Sequence, residues 1–98
     1  MIKSIPMSSF KDLHQQKSLN LIDVREKYEY ESGHIPGAQN LPLSDLQFSF
    51  QTLDQEKEYY IICQSGSRSL MASQFLSAKG FHVTNIEGGT SAWQGTLE

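Results

Sequence analysis

Cys63 is the only thiol in this chain, and it lies in YYIICQSGSRSLMASQFL, residues 59 to 76. The order is an apolar run, a cysteine, small polar residues around one glycine, an arginine and a helix-forming stretch. Each part has a physical task. A strand over Tyr59 to Ile62 fixes the sulfur in place. Gln64, Ser65, Gly66 and Ser67 carry small or unbranched side chains, and Gly66 can take a positive φ. Successive backbone N–H groups can therefore turn inward as a nest. The following helix adds its unpaired N–H groups and the positive end of its dipole. Arg68 adds a permanent charge on a planar donor fork. A free cysteine of pKa about 8.5 is only about 3% ionised at neutral pH, and surroundings of this kind favour the thiolate. The chemistry implied is a nucleophilic thiolate in a cradle that can also hold an oxyanion such as thiosulfate, sulfate or phosphate. The plainer alternative is a small buried hydrophobe ending a strand, followed by an ordinary connection. Arg68 argues against it, because a cation at a helix start opposes the dipole unless an anion is expected there.

Asp23 and Arg25 form a second candidate pair. They are two apart at a strand end, so an extended backbone points them the same way, and burial there requires the charges to pair. His34, in GHIPGA, is read as a locally packed turn residue rather than a base, since attack by a thiolate needs none. Phe75 and Trp93 are read as core. Glu26, Glu29 and Glu31 are read as a solvated face that a protein partner could also use.

These residues need elements to position them. Leu19 to Val24 is a nearly continuous apolar run, as in a buried strand. Arg25 to Ser32 reads as a short polar helix stopped at Gly33, and His34 to Gly37 as a turn. Ser9 with Asp12 predicts a helix start, and Ser44-Asp45 a second one before Leu46, Phe48 and Phe50. Arg68 to Lys79 predicts a helix with Met71, Phe75, Leu76 and Ala78 inward, ended by Gly80. Phe81 and Val83 alternate as a strand, and the Gly88-Gly89 turn leads to a final short element bearing Trp93. Strands alternating with helices predict an α/β fold on a mainly parallel sheet, whose binding crevice lies beyond the carboxyl ends of the strands. Cys63 falls there.

The 98 residues fit a single domain, residues 1 to 98. Net charge is −3, with no basic run to displace nucleic-acid counterions. No apolar run approaches a membrane span, and the N-terminal segment lacks the apolar region of a signal peptide. A cytoplasmic protein is expected. One cysteine excludes an intramolecular disulfide and a multi-cysteine metal site, and His14, His34 and His82 show no ligand spacing. No metal or cofactor is expected.

LIDVREKYEYESGHIPGAQNLPL (21 to 43), YYIICQSGSRS (59 to 69) and FHVTNIEGGTSAW (81 to 93) resemble, in order and distance, the signature blocks of single-domain rhodaneses. The resemblance covers nearly the whole chain. It implies a parallel sheet flanked by helices on both faces. It also implies a sulfurtransferase in which Cys63 takes a sulfane sulfur from thiosulfate or a persulfide and passes it to a thiol or cyanide. By the same resemblance Gln64 to Arg68 hold persulfide and donor, and Asp23 and Arg25 brace that loop. The implied partners are a small-molecule donor and a thiol acceptor, which can be a protein. One departure stands out. Loops of this kind often carry a basic residue directly after the cysteine, and Gln64 stands there, which weakens the case for thiosulfate. Two alternatives compete: a rhodanese-like redox or interaction module without catalysis, and a cysteine-dependent phosphatase. Tyrosine phosphatases place five residues between cysteine and arginine, and here only four intervene.

Overall fold

The computed structural model describes residues 2–98. Five strands, β1 (Lys3–Ile5), β2 (Leu21–Asp23), β3 (Ala38–Asn40), β4 (Glu58–Ile62) and β5 (His82–Ile86), form one sheet in the order β1-β5-β4-β2-β3. Every neighbouring pair is parallel. The helices α1 (Met7–Gln16), α2 (Lys27–Glu31), α3 (Leu46–Ser49) and α4 (Ser67–Ala78) occupy the connections. The α/β class and the parallel sheet are as expected from the alternating pattern.

Side-chain alternation along the strands splits the core in two. Ile22, Tyr59, Ile61 and Cys63 point to one face, where Leu46 of α3 and Ala72 and Leu76 of α4 cover them. Leu21, Tyr60, Ile62 and Ile86 point to the other, under Phe10 of α1, with Ile35 and Ala38. Burial on both faces is why β2 and β4 read as continuous apolar runs rather than alternating ones.

Several local expectations are corrected. Ser9 does not cap α1: the helix starts at Met7 from Pro6, whose φ of −73° and ψ of 161° set the entry, and the Ser9 and Phe10 N–H groups donate to the Pro6 carbonyl. Ser44 does not cap α3 either. It lies in a 3-10 turn over Leu43–Asp45, and its hydroxyl donates to the Glu26 carboxylate at 3.0 Å. The buried side of α4 is Ser69, Ala72, Ser73 and Leu76, while Met71 is 54% exposed. Close packing of α4 on β4 and β5 is made mostly by small side chains with Leu76 as the one large residue, and Met71 and Phe75 sit toward the rim. Phe75 is partly buried there, edge-on to Phe50.

Trp93 packs at the margin of the opposite core, against Phe10 and His14. His34 stacks on Tyr30 with ring centroids 3.8 Å apart, and its Nδ1 lies 3.0 Å from the Tyr30 carbonyl. Local packing satisfies it, as expected for a turn residue.

Candidate functional site

Parallel strands deliver their carboxyl ends to one edge of the sheet, and four chain segments meet there: the residues after β2, β3, β4 and β5. Cys63 follows Ile62 at the end of the central strand β4 and is fully buried, with 0% exposure. The chain then turns through Gln64, Ser65 and Gly66 into α4. Gly66 makes the turn possible by adopting a φ of +112°, which side-chain-bearing residues rarely take. That conformation aims the Gly66 N–H at Cys63 Sγ, with N and S 3.0 Å apart. Ser67 opens the helix, one residue earlier than expected, and Arg68 is its second residue.

Opposing influences act on the sulfur. Burial pushes the Cys63 thiol up. The Ser69 hydroxyl and the backbone N–H groups of Ser69, Gly66 and Ser65 pull it down, and the net result lies below the ordinary value. The loop therefore favours the thiolate through hydrogen bonds from short, fixed donors. Ser69 and Asn85, which the sequence reading did not single out, complete this arrangement. Ser69 is fully buried, its Oγ 3.5 Å from Sγ, and its hydroxyl donates to Asn85 Oδ1 at 2.6 Å.

The turn after β5 clamps the loop from the other side. Thr90 N–H donates to the Cys63 carbonyl at 2.8 Å, and Ser91 N–H to the Gln64 carbonyl at 3.0 Å. The Thr90 hydroxyl adds a longer bond to the Cys63 carbonyl at 3.2 Å. So close an approach requires a glycine. A Cβ on Gly89 would lie 2.5 Å from both the Cys63 and the Gln64 carbonyl oxygens.

On the β2 side, Asp23 is 0% and Arg25 3% exposed. The Asp23 carboxylate accepts from the Arg25 backbone N–H at 3.0 Å and from the guanidinium, the shortest bond being 2.8 Å to Nη2. The remaining donors reach outward: Nη1 to Gln64 Oε1 at 3.1 Å and Nη2 to the Gly33 carbonyl at 2.8 Å. Arg25 thus links the end of β2 to the cysteine loop. Breaking such a buried pair by removing one partner typically costs about 3–5 kcal/mol, because the other charge is left unpaired. Asn40, at the end of β3, donates to the Asp23 and Arg25 carbonyls and ties a third segment to the same point.

Arg68 differs most from expectation. Its guanidinium is not a bare charge facing the loop. Nη1 donates to Glu29 Oε1 at 2.6 Å and Nη2 to Glu29 Oε2 at 2.9 Å, a two-pronged pair. Glu29 is accordingly not part of a solvated face. Arg68 chiefly, opposed by burial and helped by the Glu26 backbone, holds its carboxyl down at about 2, so it is ionised at neutral pH. The same bond with Glu29 chiefly pushes the Arg68 guanidinium up, opposed by burial, and the charge of Cys63 adds a smaller upward push. Glu26 is engaged as well. It forms a capping box with Glu29 at the start of α2.

Among the described residues no group of three or more His, Cys, Asp or Glu side chains is arranged to hold a metal ion. No helix among them is long and apolar enough to cross a membrane.

The sequence model of the family described as Rhodanese-like domain matches residues 7–96. YtwF of Bacillus subtilis, which carries a provisional sulfurtransferase name, is 41% identical over 95 residues, covering 96% of this chain and 92% of that protein. The thiosulfate sulfurtransferase GlpE of Shewanella oneidensis is 34% identical over 96 residues, covering 89% of this chain and 95% of that one. A crystal structure of a rhodanese-like domain protein from Staphylococcus aureus superposes with a TM-score of 0.91 at 33% identity, covering 99% of this chain and 97% of that one.

Proposed function

Because this chain belongs to the family of rhodanese-like domains, we propose that it is a single-domain sulfurtransferase that carries a sulfane sulfur on Cys63. The observation that carries the reading is the donor set around the sulfur, the Ser69 hydroxyl and the N–H groups of Ser69, Gly66 and Ser65, with the Gly66 nitrogen 3.0 Å from Sγ, which together lower the thiol's pKa against its burial. In the first half-reaction the Cys63 thiolate attacks the outer sulfur of a donor. A Cys63–S bond forms, the donor's S–S bond breaks, and its electron pair leaves with the remainder, as sulfite from thiosulfate or as a thiolate from a persulfide. The negative charge moves to the terminal sulfur of the new persulfide, which the N–H groups of Ser65, Gly66 and Ser69 are suited to hold. In the second half-reaction a thiolate or cyanide attacks that terminal sulfur, and the electron pair of the breaking bond returns to Cys63. Neither step needs a general base once the thiol is ionised.

Within this scheme Gln64 to Arg68 form the wall of the site, and Asp23 with Arg25 braces it through Gln64. With Cys63 fully buried, a donor reaches Sγ only after a local opening of the loop. A cytoplasmic setting, where a lone thiol stays reduced, fits this use of cysteine. A small-molecule donor and a small or protein-borne thiol acceptor complete the scheme. A phosphatase reading is disfavoured by Arg68, whose fork is held by Glu29 rather than free for a phosphoryl group. The test is turnover. Wild-type protein should transfer sulfur from thiosulfate or an organic persulfide to cyanide or a thiol, and Cys63→Ala should transfer none. Equal rates in the two proteins would defeat the proposal.

A further inference from the structure

Two guanidinium groups flank the cysteine loop, Arg25 through its bond to Gln64 and Arg68 in the first turn of α4, and both are already matched by carboxylates. Arg25 is committed to Asp23, Gln64 and the Gly33 carbonyl. Arg68 gives one Nη to each oxygen of Glu29. The position after the cysteine is Gln64, which brings no charge and whose Oε1 is occupied by Arg25. The two ion pairs therefore bring no net charge to the loop, and attraction for an anion falls to the backbone N–H groups and the Ser69 hydroxyl.

Glu29 is also held in place independently of Arg68. Its Oε1 accepts the Glu26 backbone N–H at 3.0 Å, as the third residue of a capping box at the start of α2. The carboxylate is thus presented to Arg68 by the fold of α2, rather than resting there as a mobile surface group. The pair is partly buried, with side-chain exposures of 32% for Arg68 and 20% for Glu29, so bulk salt screens it somewhat less than an open surface pair.

We propose that Glu29 sets the charge class of reagents admitted to Cys63: by occupying the Arg68 fork it discriminates against dianionic donors such as thiosulfate and favours donors with little or no charge. The sulfonate end of thiosulfate is the kind of oxyanion a free guanidinium fork would bind through two parallel hydrogen bonds. To gain them here it must displace a fixed carboxylate and then sit beside it. An organic persulfide has no such group to place. For donors the inference rests on the sulfurtransferase reading; for the access of charged reagents to the thiol it does not.

The test uses two alkylating agents of similar size and the same leaving group, iodoacetate and iodoacetamide, on the full chain. Each variant's iodoacetamide rate serves as its own reference. In Glu29→Gln the glutamine oxygen can still accept the Glu26 N–H, so the capping box can persist. The ratio of iodoacetate to iodoacetamide rate should rise about five-fold at low salt, shrink towards the wild-type value in concentrated salt, and fall back when Arg68→Gln is added. The ratio of kcat/KM for thiosulfate to that for an organic persulfide with no charged group on its carbon skeleton should rise in parallel. If Glu29→Gln does not fold, Glu29→Ala gives the same reading at the cost of the capping box. An alkylation ratio that stays at the wild-type value in a folded Glu29 variant overturns the proposal. A raised alkylation ratio in a protein that moves no sulfur from any donor would refute the transferase reading and leave the role of Glu29 standing.

Discussion

The Ser69 hydroxyl has one proton and three acceptors within reach: Asn85 Oδ1 at 2.6 Å, the Gly66 carbonyl at 3.1 Å and Cys63 Sγ at 3.5 Å. While Cys63 is a thiol, its S–H can point at Ser69 Oγ and the Ser69 proton at Asn85. When the sulfur is ionised, that proton is better placed on the sulfur, and the amides of Ser65, Gly66 and Ser69 share the charge with it. Ser69→Ala removes a hydroxyl donor to the thiolate and only an acceptor for the weakly donating S–H of the thiol, so it should raise the Cys63 pKa. The rate of iodoacetamide alkylation against pH reports the midpoint. The wild-type midpoint should lie below that of a simple thiol, and that of Ser69→Ala above the wild-type one. Each unit of upward movement lowers the thiolate fraction about tenfold at pH well below the midpoint. Coincident profiles would show that the hydroxyl does not stabilise the thiolate. The linkage to stability follows the same sign: a depressed thiol pKa adds stability above the ordinary thiol value, lost as pH falls through the lowered one. Cys63, Gly66 and the loop were legible because a thiol, a glycine and an arginine have few neutral uses at that spacing. Ser69 and Asn85 were not. A serine in a helix and an asparagine in a strand are unremarkable singly, and only the fold brings α4 against β5.

At the scale of elements, the cysteine loop is held less by its own chain than by the turn after β5. Gly89 adopts a φ of 61° and ψ of −162°, a region open essentially to glycine alone. Its missing Cβ is what lets the turn donate to the Cys63 and Gln64 carbonyls. Gly89→Ala must therefore bear both the backbone strain, of order 1–3 kcal/mol, and a steric overlap with backbone that cannot move aside cheaply. It should lower the urea unfolding midpoint markedly and slow sulfur transfer in whatever protein remains folded. Gly37→Ala is the matched control. Its φ is also positive, at +89°, but a Cβ there meets nothing within 4 Å. It should cost only the strain, about 1–2 kcal/mol. Equal midpoints for the two variants would show that the close approach at Gly89 carries no special weight. In the sequence Gly88-Gly89 reads as a turn and no more, because the partner it touches lies far away in the chain. The strands β1 and β3 were missed for a different reason. Three residues are too few to show a period, and both are edge strands whose pairing depends on neighbours β5 and β2. The strongly apolar β4 was the clearest element in the sequence, and it is the one that carries Cys63.

For the molecule as a whole, the alternating strands and helices were enough to predict a parallel α/β sheet and to place Cys63 at the carboxyl edge. They could not show how charge is distributed there. The chain is acidic, with a net charge of −3, and at that edge Asp23 and Glu29 offset its two arginines, Arg25 and Arg68. Reading Glu29 as a solvated side chain and Arg68 as a free cation was reasonable for either residue alone. The pair spans 39 positions of sequence, and only the docking of α2 beside the start of α4 makes it. The result is a thiol activated by backbone amides and a hydroxyl inside an ion-paired frame. The most direct test of this account is the intact mass of the protein after exposure to a sulfane donor. Wild-type protein should gain the mass of one sulfur atom, and cyanide or a reducing thiol should remove it. Cys63→Ala, which has no thiol, should gain nothing. A wild-type mass unchanged after thiosulfate and several organic persulfides, or an equal gain in Cys63→Ala, would contradict the assignment of Cys63 as the sulfur carrier.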